Sequence, residues 1–158
     1  MTKTSFPTRR QMLAHVATLA TAALAVPRAL AQARTPITVY KDASCGCCSK
    51  WVEHMDGSGF RCNVLNSNMV EVHARYKIPG DLQSCHTAVI GNYVIEGHVP
   101  AADVKKFLAQ KPAGIVGLTI PGMPQSAPGM DAVPFQPYTV LTFTAAGKTA
   151  VFSRHTKA

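Results

Sequence analysis

The stretch Ile37-Thr38-Val39-Tyr40-Lys41-Asp42-Ala43-Ser44-Cys45-Gly46-Cys47-Cys48-Ser49-Lys50-Trp51-Val52-Glu53-His54-Met55 decides the fold. Ile37 to Tyr40 is a β-rich run that stops at Lys41-Asp42, and Ser44 is placed to cap a helix beginning at Cys45. Cys48, Trp51, Val52 and Met55 recur at helical spacing on one face, and Gly57 and Gly59 end the segment. The strand therefore delivers three thiols to the first turn of a helix.

Downstream, Phe60, Cys62 and Val64 alternate with Arg61 and Asn63, which predicts a second strand with the first set inward. A helix follows with Met69, Val72, His73 and Tyr76 on one face, closed by Pro79-Gly80. Thr87 to Ile90 and Tyr93 to Ile95 flank Gly91-Asn92, a two-residue hairpin signal. Pro100 opens a helix carrying Val104, Phe107 and Leu108, with Lys105, Lys106 and Lys111 toward its C-terminal end, where cations suit the dipole. Between Pro112 and Pro137 lie six of the eleven prolines and a repeated Pro-Gly-Met, at 121–123 and 128–130, which reads as a long ordered loop or lid. Tyr138 to Phe143 and Thr149 to Phe152 form a last hairpin around Ala146-Gly147, leaving His155 in a tail. The order βαβα then ββα, with a cysteine motif opening the first helix, is that of a thioredoxin-like α/β sandwich, here with a Pro-rich loop and a C-terminal β-hairpin.

Upstream, Arg9-Arg10 precedes an alanine-rich apolar run from Met12 to Val26 and the small-residue site Ala29-Leu30-Ala31. Residues 1–33 are read as a signal peptide, with cleavage after Ala31 or Ala33, and residues 34–158 as one thioredoxin-like metal-binding domain. The segment around Arg9-Arg10 resembles a twin-arginine address, with an ordinary secretory signal as the alternative. Either way the product is expected outside the cytoplasm. Lys3, Arg9, Arg10 and Arg28 lie in this leader with no acidic residue, so half of the formal charge of +8 belongs to it. The remaining basic residues are scattered rather than gathered with aromatics, which argues against nucleic-acid binding. No later stretch approaches the ~20 apolar residues of a membrane span.

Cys45 and Cys48 form a Cys-x-x-C pair with a third thiol, Cys47, inside it. A thiol in a first helical turn feels the dipole and nearby amide donors, which favour the thiolate that attacks disulfides and ligates metals. Three thiols exceed what a redox pair requires. A structural zinc site would show a second Cys-x-x-C or a histidine pair at finger spacing, and a c-type haem would need histidine at position 49, which is serine. A plain structural disulfide is the remaining bland reading. Cys85-His86 begins the strand before the hairpin, where thioredoxin-like folds carry a cis-proline facing the Cys-x-x-C helix; thiol and imidazole there can hold a metal. Cys62 reads as a small buried hydrophobe. Glu96 and His98 read as structural groups satisfied by hydrogen bonds, and His54 and His73 as solvent-facing or half-buried helix residues.

The residues Cys45-Gly46-Cys47-Cys48-Ser49-Lys50-Trp51-Val52, Ser84-Cys85-His86-Thr87-Ala88-Val89, Tyr93-Val94-Ile95-Glu96-Gly97-His98-Val99-Pro100-Ala101 and the Pro-Gly-Met pair resemble the CopG-type copper-resistance family, long catalogued as a domain of unknown function. The resemblance spans about residues 36 to 154. It implies a thioredoxin-like fold, a periplasmic location and copper bound through Cys45, Cys47, Cys48 and Cys85. Ligand softness points the same way, because thiolates and thioethers select Cu(I) over harder ions. Met123 or Met130, with His86, is expected to complete or shield the site.

Two functions follow. One is an exported copper-binding protein that sequesters, transfers or redox-converts copper, with copper ions and other periplasmic copper-handling proteins as partners. The other is a periplasmic thiol-disulfide oxidoreductase in which Cys45 attacks and Cys48 resolves. The extra thiols and the replaced proline favour metal binding over catalysis.

Overall fold

The run ahead of the cysteines forms strand β1 (Thr35–Lys41) in a computed structural model that describes residues 33–130 and 132–157. The proposed leader, including Arg9-Arg10 and Ala29-Leu30-Ala31, lies outside the described residues. Helix α1 (Gly46–Gly57) follows and returns the chain to β2 (Phe60–Asn66), which pairs parallel to β1. Parallel neighbours need such a crossover, because no tight turn can join them. Helix α2 (Met69–Tyr76) leads through a short 3₁₀ turn (Gly80–Leu82) to β3 (His86–Ile90), antiparallel to β1. The Gly91-Asn92 turn joins β3 to β4 (Tyr93–Glu96), with Ile90 opposite Tyr93 as the hairpin signal requires. Helix α3 (Ala101–Gln110) precedes β5 (Gly117–Thr119), β6 (Tyr138–Phe143) and β7 (Thr149–His155). The sheet order is β2-β1-β3-β4-β5-β6-β7. The first four strands and their helices are the thioredoxin-like βαβα-ββα core.

Alternation on β1 and β3 sends Ile37, Val39, Ala88 and Ile90 into the core, where Trp51 and Met55 of α1 and Val104 and Phe107 of α3 meet them. Trp51 is fully buried, and its indole N–H donates to the Val99 carbonyl at 2.9 Å, so the ring is satisfied as well as packed. The Ala101 N–H at the start of α3 donates to His54 Nε2 at 3.1 Å, tying the two helices together. No helix of the described residues is long and apolar enough to cross a membrane.

Four expectations need correction. Ser44 does not cap α1: its N–H and hydroxyl both donate to Asp42 Oδ1, and Cys45 itself occupies the cap position. Strand β2 is buried only at its start, since Val64 is 42 % exposed; as the sheet's edge it has fewer neighbours to cover it. The Pro-rich segment contains a strand, β5, parallel to β4, with Gly117 where any Cβ would overlap the Val94 carbonyl. The six prolines from Pro112 to Pro137 obscure that short run in composition. The last strand runs on to His155, whose Nε2 bonds Asp103 of α3 at 2.7 Å, so this histidine is no tail residue.

A candidate soft-metal centre

The Asp42 turn sets the geometry. The Cys45 N–H donates to the Asp42 carbonyl at 3.1 Å, and Cys45 has extended backbone angles (φ −73°, ψ 95°) before the helix begins at Gly46. Cys47 and Cys48 thus lie in the first turn of α1, with Cys45 just outside. Cys45 and Cys48 are joined as a disulfide, and Cys47 and Cys85 are free thiols. Each free thiol flanks one end of that bond: Cys47 Sγ lies 3.5 Å from Cys45 Sγ, and Cys85 Sγ lies 3.3 Å from Cys48 Sγ. Residue 85 does face the cysteine helix, as its place before β3 predicts.

Behind the sulfurs stand two imidazoles. His86 is fully buried with its ring 4.4 Å from the Trp51 ring and 4.9 Å from that of His98. Its Nδ1 is 3.7 Å from Cys85 Sγ, while Nε2 is buried with no hydrogen-bond partner among the described residues. Burial, then His98, holds its pKa down to about 3. Although the sequence presents His98 as a structural group, its Nε2 lies 3.5 Å from Cys85 Sγ. Its Nδ1 is 2.8 Å from the Pro128 carbonyl, and a carbonyl only accepts, so Nδ1 carries the proton and Nε2 presents a lone pair to the sulfur. A sequence signal for His98 existed. The hairpin register that pairs Thr87 with Glu96, carried two residues further, sets His98 opposite Cys85.

Two groups of potential ligand atoms result, each within 4.8 Å: Cys45, Cys47, Cys48 and Cys85, and Cys48, Cys85, His86 and His98. Cys48 and Cys85 belong to both, so the groups form one continuous set of four sulfurs and two imidazoles. Neither contains a carboxylate, a composition suited to soft or borderline transition metals and unsuited to calcium or magnesium. Burial, with Cys47 as the next cause, pushes the Cys85 thiol up to about 11, so a bound cation is needed to hold it as thiolate. Cys62 stands apart: half-buried on the core's flank, its pKa is pushed up to about 12 by burial, as befits an inert thiol.

The two Pro-Gly-Met copies differ. A Cβ on Gly129 would lie 2.8 Å from Trp51 N and 3.0 Å from the Cys47 carbonyl oxygen, so the second copy seats its backbone on the thiol-bearing turn. Gly122 of the first copy meets nothing within 4 Å. Met130 thus adjoins a segment fixed against the site, whereas Met123 sits on the more open copy, and both are half-buried.

Under the hairpin, Glu96 is fully buried, accepting from the Ser84 N–H and the Thr87 hydroxyl, both at 2.7 Å, with His73 Nε2 3.1 Å away. His73, expected solvent-facing or half-buried, is buried here. Burial pushes the Glu96 pKa up to about 8 and lowers that of His73. Imidazoles with lowered values bind fewer protons folded than unfolded, so stability from His86 and His73 drops as pH falls below 6.5, for His86 down to about 3. A carboxyl with a raised value acts oppositely: its contribution is lost as pH rises from 4.5 to about 8. Urea unfolding of the metal-free protein should therefore show maximal stability between pH 4.5 and 6.5, where the two windows overlap and oppose each other. Each limb should fall by at most about 1.4 kcal/mol per pH unit and titrating group, and Glu96→Gln should remove the alkaline limb alone.

A strand-to-helix joint that pools thiols with two hairpin imidazoles marks the molecule as a thioredoxin-like domain built around a metal-type Cys/His cluster. Residues 82–130 match the family described as "Protein of unknown function, DUF411". No curated protein gives a significant match. Two solved structures, described as forms 1 and 2 of copper resistance protein CopG, are similar, with TM-scores of 0.72 and 0.70 and identities of 37 % and 38 %. The likeness covers 77 % and 76 % of this chain and 98 % and 97 % of theirs. The chain belongs to the CopG copper-resistance family.

Proposed function

We propose that this is an exported copper-handling protein that takes up Cu(I) through Cys45, Cys47, Cys48 and Cys85, with His86 and His98 as nitrogen donors and the Pro-Gly-Met segment as a shield. The observation that carries this reading is the sharing of Cys48 and Cys85 between the two ligand groups, which makes six soft or borderline donors contiguous. Copper is chosen because the two similar structures are of a copper resistance protein and because thiolates favour the monovalent ion. Full ligation requires the Cys45–Cys48 disulfide to be reduced, so copper loading is tied to thiol redox state. Residues 1–33 serve as the export signal in this reading, residues 34–158 as the mature domain, and the periplasm as its place of work. Sequestration, transfer to another periplasmic copper-handling protein and change of oxidation state are the uses such a site allows.

The disulfide itself favours a second reading, thiol-disulfide exchange with half-exposed Cys45 attacking and buried Cys48 resolving. One pair of assays separates them. Reduced protein titrated with Cu(I) against a chromophoric competitor should bind tightly, and metal-free protein should reduce insulin only slowly. Catalytic insulin reduction that survives Cys85→Ala, with no competition for Cu(I), would establish the oxidoreductase instead.

A further inference from the structure

We propose that Glu96 is a positioning residue that holds Cys85 in place for metal ligation, an inference that rests on the copper reading above. The two oxygens of its carboxyl group straddle the Cys85-His86 pair. Oε1 accepts the N–H of Ser84, the residue before the pair, at 2.7 Å, and Oε2 accepts the hydroxyl of Thr87, the residue after it, at 2.7 Å. Backbone pairing completes the clamp, since the Gly97 N–H donates to the His86 carbonyl at 3.1 Å. Gly97 also admits Ser84 at close range: a Cβ there would stand 2.8 Å from Ser84 Oγ.

A fully buried carboxyl group is an expensive choice at a position where its strand neighbours Val94 and Ile95 are apolar. It is tolerated because three donors or partners converge on it, and two of those flank the residue that brings the fourth thiol to the site. Cys85 has no helix to orient it. It lies between the 3₁₀ turn and β3, so its backbone direction depends on what holds Ser84. Glu96 supplies that hold from the neighbouring strand, as outer groups around metal ligands commonly do.

The test is a double-mutant cycle on the reduced full chain, with Cu(I) affinity read by competition and Glu96→Leu combined with Cys85→Ser. Glu96→Leu alone should weaken Cu(I) binding by about 10- to 100-fold. In the Cys85→Ser background it should cause no further loss, because there is no longer a thiol to position. Glu96→Gln, which keeps an oxygen for the Ser84 N–H, should recover most of the affinity. In metal-free protein, alkylation of Cys85, followed by peptide mass mapping, should be several-fold faster in Glu96→Leu than in Glu96→Gln. Equal losses from Glu96→Leu in the presence and absence of the Cys85 thiol would overturn the inference and leave the copper site standing. Failure of the wild type to bind Cu(I) would overturn both. Should Glu96→Leu not fold, the isosteric Thr87→Val releases one side of the clamp and should weaken Cu(I) binding several-fold in the same Cys85-dependent way; unchanged affinity there overturns the proposal.

Discussion

Replacing Cys45 and Cys48 together by serine is expected to weaken Cu(I) binding by at least about 1,000-fold, roughly 4 kcal/mol. Cys48 is fully buried and shared by both ligand groups, so its loss removes a donor from each. Serine is nearly isosteric but offers a hard, neutral oxygen in place of a thiolate. Cys47, Cys85, His86 and His98 remain, enough for a residual site but not for one that outcompetes a chromophoric chelator. Far-ultraviolet circular dichroism of the double variant should match the reduced wild type, since the Trp51–Met55 face of α1 is untouched. Affinity equal to that of the wild type would show that copper binds elsewhere.

The second large effect is expected from Gly129→Ala. The glycine has φ +86°, where a side chain is strained, and its Cβ would press on the backbone of Trp51 and Cys47, atoms that cannot rotate away. The segment must lift, and the Pro128 carbonyl lifts with it, weakening the bond that His98 Nδ1 makes to it. A stability loss of about 2–3 kcal/mol is expected in urea, together with faster loss of copper to a chelator and a change in the His98 ring-nitrogen chemical shifts. Gly122→Ala is the control: it shares a positive φ of +77° but meets no neighbour, so only the backbone strain of about 1 kcal/mol should appear. Replacing Met123 and Met130 by leucine keeps the volume while removing the thioethers, which separates ligation from packing in the same chelator assay. If Gly129→Ala matches the wild type in stability, off-rate and His98 shifts, the segment does not support the site.

The β1–α1 joint was legible because two periods meet there, alternation up to Lys41 and the helical spacing of Cys48, Trp51 and Met55 after it. The placement of Cys85 was legible because the hairpin signal at Gly91-Asn92 fixes where β3 ends, and Cys85 stands just ahead of the β-rich run that leads into that turn. What escaped were facts of partnership rather than pattern. Ser44 has the chemistry of a cap, but Asp42, two residues earlier, competes for the same hydroxyl and amide. Val64 keeps the alternation of an inward residue on a strand that forms the sheet's edge among the described residues. His98 looks like an ordinary hairpin-flanking histidine until the register is counted back to Cys85, and until the Pro128 carbonyl, thirty residues away in the chain, is seen to choose its tautomer. His73 and Glu96 each carry a charged group's signature on the sequence, yet they meet as a buried pair because α2 packs across the end of the hairpin.

Strand β5 changes what kind of object the Pro-rich segment is. Thr119 pairs with Leu141 of β6, so the chain that leaves the sheet after β5 returns to the neighbouring strand beside its point of departure. The segment is a closed bight with a fixed neck, its ends held together by the sheet. Detachment of the Gly129 stretch from α1 would leave it tethered at both ends by the pairing of β5 with β6, so reseating is an intramolecular event. A free C-terminal tail of the same composition, held at one end only, would lack that double tether.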